Sequence, residues 1–134
     1  MANKQPKSSL IKGTYKHSDS EHIEMQLSIY YFEEDEFTIA YCPALDISGH
    51  GKDEQTAYED LTVMLSEYFR YTTHKNTIRK DLSNMGWNIK KSAHKKMTPP
   101  TDEEVMKNNE NFNHIMSNFE VRKVSKPIQI PAFG

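Results

Sequence analysis

Residues 22–32, HIEMQLSIYYF, alternate apolar and polar positions. Ile23, Met25, Leu27 and Ile29 fall on one side, with Glu24, Gln26 and Ser28 on the other. A period of two is the signature of a strand with one buried face. The acidic run 33–36, EEDE, interrupts the pattern, and FTIAY (37–41) resumes it with Phe37, Ile39 and Tyr41 in phase. Two such runs around a short polar break predict an antiparallel hairpin. Cys42-Pro43 stops the second strand, because proline cannot donate to a ladder and restricts the residue before it. A third short strand is predicted over 45–49, with Leu45 and Ile47 in phase, and Gly49 and Gly51 are read as a sharp exit from it.

Beyond the glycines the period changes. Asp53 is a suitable N-cap, Glu54 suits the first turn of a helix, and Ala57, Leu61, Met64, Leu65 and Tyr68 follow at helical spacing. One helix over 53–73 is predicted, with that stripe facing the sheet. Ile78, Leu82 and Met85 mark a shorter helix ended by Gly86, after which Trp87 and Ile89 begin an extended piece. Residues 92–100 read as a linker. Thr101 with Glu104 forms a capping-box pattern for a further short helix, and 109–118 suggests another. Residues 119–124 alternate again and SKPIQIPAFG is an extended tail. The expected fold is α+β: a three- to four-stranded antiparallel sheet packed on one main helix, with Ile23, Met25, Leu27, Ile29, Phe37, Ile39 and Tyr41 against the helix stripe. The expected division is a polar, flexible arm over 1–20, a folded unit over 21–92, and a helical and extended C-terminal appendage over 93–134.

Composition changes this picture in a few ways. The chain has 134 residues, 36% of them hydrophobic, which suits one small domain with loose or extended parts. A single cysteine allows no internal disulfide, so a reducing compartment is the default. The first twenty residues lack the apolar core of a secretory signal, and no run approaches the roughly 20 apolar residues needed to cross a bilayer. The expectation is a soluble cytoplasmic protein that does not contact a membrane. Charge is segregated: residues 21–60 carry eleven acids against one lysine, and residues 61–100 carry eight bases against two acids. The acidic block favours a basic partner over nucleic acid.

Cys42 and His50 with nearby acids suggest a thiol nucleophile, but Cys42 sits at a strand end inside an acidic block, which opposes thiolate formation. The six histidines show no metal-ligand spacing. Glu33, Glu34, Asp35 and Glu36 cluster at a turn rather than on strand interiors, and GHGKDEQT lacks phosphate-loop spacing. No catalytic residue, metal or cofactor is expected. A nucleic-acid surface is the alternative, built from Arg70, Lys75, Arg79, Lys80, Lys90 and Lys91 with Tyr68, Tyr71 and Trp87 interleaved. No helix-turn-helix or ribbon-helix-helix pattern accompanies it.

The run FTIAYCPALDISGHGKDEQTAYEDLTVMLSEYF (37–69) resembles the core signature of HicB-like antitoxins, through Pro43, Leu45, Gly49, Gly51, Thr56, Ala57 and Leu61. The resemblance implies a truncated RNase H-like unit, an antiparallel sheet backed by a helix. It also implies a function: neutralising a small, basic, mRNA-cleaving HicA-like toxin by covering its active site. Many such antitoxins also bind operator DNA through an added C-terminal domain. Residues 74–134 do not read as one, so DNA binding stays open. The expected partner-binding residues are Glu33, Glu34, Asp35 and Glu36, together with Ile128 and Ile130 of a tail able to add a strand to a neighbouring sheet. Exposed sheet edges further predict a homodimer or higher oligomer.

Overall fold

The structure is a computed structural model and describes residues 22–89 and 97–131. The arm over 1–20, Lys90, Lys91 and most of the linker lie outside the described residues. Strands β1 (His22–Glu34), β2 (Phe37–Cys42) and β3 (Ile47–Gly51) lead into helix α1 (Glu54–His74) and the shorter α2 (Ile78–Asn84). A two-residue ladder joins β4 (Asn88–Ile89) to β5 (Met97–Thr98). Helices α3 (Asp102–Asn108) and α4 (Glu110–Asn118) then precede the last strand, β6 (Arg122–Pro131). The main sheet has the order β3-β2-β1-β6, and each neighbouring pair in it is antiparallel. The fold is α+β, with α1 packed on the sheet.

The hairpin closes over Asp35 and Glu36, where Asp35 takes a φ of 59°. Aspartate tolerates that left-handed conformation better than branched residues do. The next turn, 43–46, closes through the Asp46 N–H to the Cys42 carbonyl at 2.8 Å, with Asp46 at φ 55°. The third strand therefore starts at Ile47, later than the sequence pattern predicts, and runs through Gly49 and Gly51. These glycines serve close approach rather than turning. A Cβ on Gly49 would lie 2.2 Å from the Leu61 nitrogen, and one on Gly51 would lie 2.7 Å from the Ala57 nitrogen. The α1 backbone rests directly on β3.

Asp53 caps α1 in a reciprocal box with Thr56. The buried stripe of α1 is Ala57, Leu61, Leu65, Phe69 and Thr72. Met64, read as a core position, is 46% exposed, and Tyr68 is only half-buried. The helix is rotated toward Phe69 because it sits on a backbone-thin strand at one side of the sheet. On β2 the sides are exchanged relative to expectation. Ala40 and Cys42 face α1, while Ile39 and Tyr41 join a second cluster with Tyr30, Phe32, Val105, Phe112 and Ile115. Phe37 is 48% exposed. Small side chains lie where the helix backbone comes close, and large ones face a layer that the periodicity did not anticipate. That layer is α3 and α4. It explains why Ile29, Tyr30, Tyr31 and Phe32 are buried in succession, since a strand covered on both faces loses its alternation.

The extended part of the C-terminal segment is β6, an edge strand of the main sheet. β6 pairs with β1 from Tyr31–Arg122 to His22–Pro131. Ile128 and Ile130 face Met25 and Ile23 across the ladder and are buried, so the strand-adding tail completes its own sheet.

Candidate functional surfaces

The sequence-predicted residues separate into an acidic end, a basic end and a buried thiol. At the acidic end Glu33, Glu34, Asp35 and Glu36 are exposed around the hairpin turn, with Phe37 beside them. Glu33 accepts a hydrogen bond from Thr38 Oγ1 at 2.8 Å, which anchors one carboxylate of the four. Next to the hairpin, Tyr31, Phe119, Glu33, Glu54, Glu120 and Arg122 are among the residues lining an open cavity of about 460 Å³. Arg122 grips Glu54 through Nε at 3.0 Å and through Nη2. That bidentate bond holds the Glu54 carboxyl below the usual carboxylate range. The guanidinium also lies 5.7 Å from the Tyr31 ring centroid. The β6 base nearest the hairpin is therefore already engaged by Glu54.

At the basic end, Arg70 pairs with Glu67 one helical turn earlier. Lys75 Nζ sits 5.9 Å from the centroid of Tyr71, whose side chain is exposed. Lys80 is exposed and Arg79 half-buried on α2. Of the six residues of the predicted nucleic-acid surface, Arg70, Lys75, Arg79 and Lys80 thus fall at the α1–α2 junction. Trp87 is not available for stacking: it is buried, and its Nε1 donates to the Ala44 carbonyl at 2.8 Å.

Cys42 and His50 do not meet. The register sets Cys42 opposite Ile47 and His50 opposite Ile39, which places their side chains on opposite sheet faces. Cys42 is fully buried, and that burial pushes its thiol up to about 12. Ile128 and Ile130 lie in the core rather than on a binding surface. Among the described residues no group of three or more His, Cys, Asp or Glu is placed to hold a metal ion, and no helix is long and apolar enough to cross a membrane.

Two features escape sequence reasoning. One is a polar cluster in which Tyr41 Oη donates to Asp46 Oδ1 at 2.5 Å, Asn111 Nδ2 donates to the same oxygen at 3.3 Å, and Asn109 Nδ2 reaches Tyr41 Oη at 3.4 Å. Burial first, and then the Asp46 carboxylate, raise the Tyr41 phenol above its ordinary range. The cluster ties β2 to α4 and has no local sequence signal, because its members are brought together from distant parts of the chain. The other is an exposed apolar flank on α1, signalled only by a stripe wider than one sheet face can cover. Compared with known proteins, the chain matches no family model, no curated protein and no solved structure.

Proposed function

We propose that the chain is a non-enzymatic binding protein, a HicB-like antitoxin that neutralises a small basic toxin by contact through its acidic hairpin end. The observation that carries this reading is the exposed run Glu33–Glu36 at the tip of β1 and β2, flanked by the exposed ring of Phe37. Complementary charge speeds encounter and selects the partner, and an aromatic side chain beside it supplies apolar contact area. The β1-β2-β3-α1 order supports the reading because it is the unit that the sequence resemblance implies. Copurification of the full chain from its native host tests it. The expected result is a small basic protein bound stoichiometrically and released by the double substitution Glu34→Lys, Glu36→Lys. Recovery of no basic partner sinks the proposal.

The second reading, a stand-alone nucleic-acid-binding regulator, is favoured by one arrangement: the exposed ring of Tyr71 beside Arg70 and Lys75. It predicts affinity for nucleic acid that falls steeply as salt rises, as in phosphate-dominated binding. Filter binding that shows no retention at low salt excludes it.

A further inference from the structure

At the end of β2 opposite the acidic hairpin, the chain borders another cavity, of about 450 Å³. Three parts of the fold meet there: the turn between β2 and β3, the end of α2, and α3. The floor is aliphatic. Pro43, Pro100 and Val105 are buried in it, and Met85 is half-buried. Gly86, at a φ of 98°, brings the chain that leaves α2 past Pro100, where a Cβ would stand 3.3 Å from the Pro100 Cβ. The rim is polar, with Asp46, Asn84, Glu104 and Asn108 all exposed. Among the described residues, no basic side chain and no aromatic ring lines the cavity.

Both rim carboxylates are fixed through one oxygen only. Asp46 Oδ1 accepts from Tyr41 Oη at 2.5 Å and from Asn111 Nδ2 at 3.3 Å. Glu104 Oε1 accepts from the Thr101 N–H at 2.9 Å in the capping box of α3. Among the described residues, no hydrogen bond takes the second oxygen of either, and neither carboxylate pairs with a base. Acceptors already held in place cost little to order when a ligand arrives. Two fixed negative charges above an aliphatic floor select a cation that carries hydrocarbon. A quaternary ammonium or a guanidinium gains from stacking on a ring, and this cavity offers none. A primary ammonium needs only oxygen acceptors for its three donors.

We propose that this cavity binds a linear aliphatic diamine. One ammonium group pairs with Asp46 and the other with Glu104, and the methylene chain lies along Pro43, Pro100 and Val105. The two carboxylates come from different elements, so a ligand with one ammonium neutralises one of them and leaves the other unpaired. The volume falls within the roughly 300–1,000 Å³ of small-molecule sites. The inference stands independently of any toxin, because the cavity and the acidic hairpin lie at opposite ends of β2.

Isothermal titration calorimetry of the full chain with 1,5-diaminopentane at low salt tests it. One saturable site is expected. Asp46→Asn keeps an oxygen for the Tyr41 hydroxyl and tolerates the left-handed backbone of the turn. Glu104→Gln keeps the capping box. Each substitution removes a charge and little else, and each should weaken binding at least about tenfold with an unchanged circular dichroism spectrum. 1-Aminopentane should bind at least about tenfold more weakly than the diamine. Glu34→Gln on the hairpin should leave binding as it is. No saturable binding, or binding that Asp46→Asn and Glu104→Gln leave intact, overturns the proposal. So does equal affinity for 1-aminopentane, or a loss on Glu34→Gln as large as that of the cavity variants, which marks general attraction to an acidic surface.

Discussion

Replacing Gly49 with alanine tests the seat of α1 on the sheet. The added methyl would stand 2.2 Å from the Leu61 nitrogen, 2.6 Å from Leu61 Cα and 2.8 Å from the Ala57 carbonyl oxygen. All three are main-chain atoms, so no rotamer change relieves the clash, and the helix must move by about 1 Å to reach ordinary contact. Moving it loosens Ala57, Leu61 and Leu65, each buried against the sheet. Overpacking a core costs about 1–3 kcal/mol, and a rigid obstacle belongs at the top of that range. Alanine gives back about 0.4–1 kcal/mol by restricting the unfolded chain. The net loss is about 2 kcal/mol, a large share of the roughly 5–15 kcal/mol that holds a domain of this kind together. With a urea slope of about 1–3 kcal/mol per molar, the midpoint falls by about 1 M. Urea unfolding followed by far-ultraviolet circular dichroism, at one protein concentration, measures it. A midpoint and slope equal to wild type would refute the seating of α1 on the β3 backbone.

Two further outcomes follow from individual groups. Cys42, buried and with its thiol pushed up to about 12, should resist a thiol reagent at pH 8 in the native state and react with one equivalent once unfolded; rapid labelling of the folded chain would contradict its placement. Asp53 accepts from the Thr56 N–H and hydroxyl, and those bonds hold its carboxyl below the ordinary value. The stability it contributes is fully present above the ordinary aspartate range and is lost as pH falls through the lower folded value. Asp53→Ala should therefore lower the urea midpoint at pH 7 by more than it does at pH 3, and an equal drop at both would rule out the cap as the cause.

The sequence was most legible where one physical requirement acted alone. The alternation from Ile23 to Ile29, the Asp53 cap and the Thr101 capping box each predict an element that the structure contains. It was least legible where a second layer imposed a competing demand. Periodicity assigns Phe37, Ile39 and Tyr41 to a single buried face, and a one-sided sheet would use that face for α1. The structure has two layers, so Ile39 and Tyr41 turn to α3 and α4, leaving Ala40 and Cys42 beneath the helix. The run Tyr30-Tyr31-Phe32 carried the missing signal, because three consecutive aromatics cannot all be buried by one layer. The glycines were ambiguous for a related reason. A glycine that admits a turn and a glycine that admits a helix backbone look alike in sequence, and only the position of α1 separates them.

The candidate surfaces were legible as charge and not as geometry. The acidic hairpin could be read from four consecutive carboxylates, whereas the flank of α1 could not, since Met64 fits a core stripe as well as an interface. Its exposure follows from where Gly49 puts the helix axis. A helix seated over β3, the edge strand, overhangs that edge, so residues on its outer flank find no strand beneath them. The close approach that Gly49 and Gly51 permit therefore has two consequences. It buries Ala57 and Leu61, and it leaves Val63 and Met64 exposed. The position of these two glycines therefore decides both which α1 side chains the sheet buries and which it leaves to solvent.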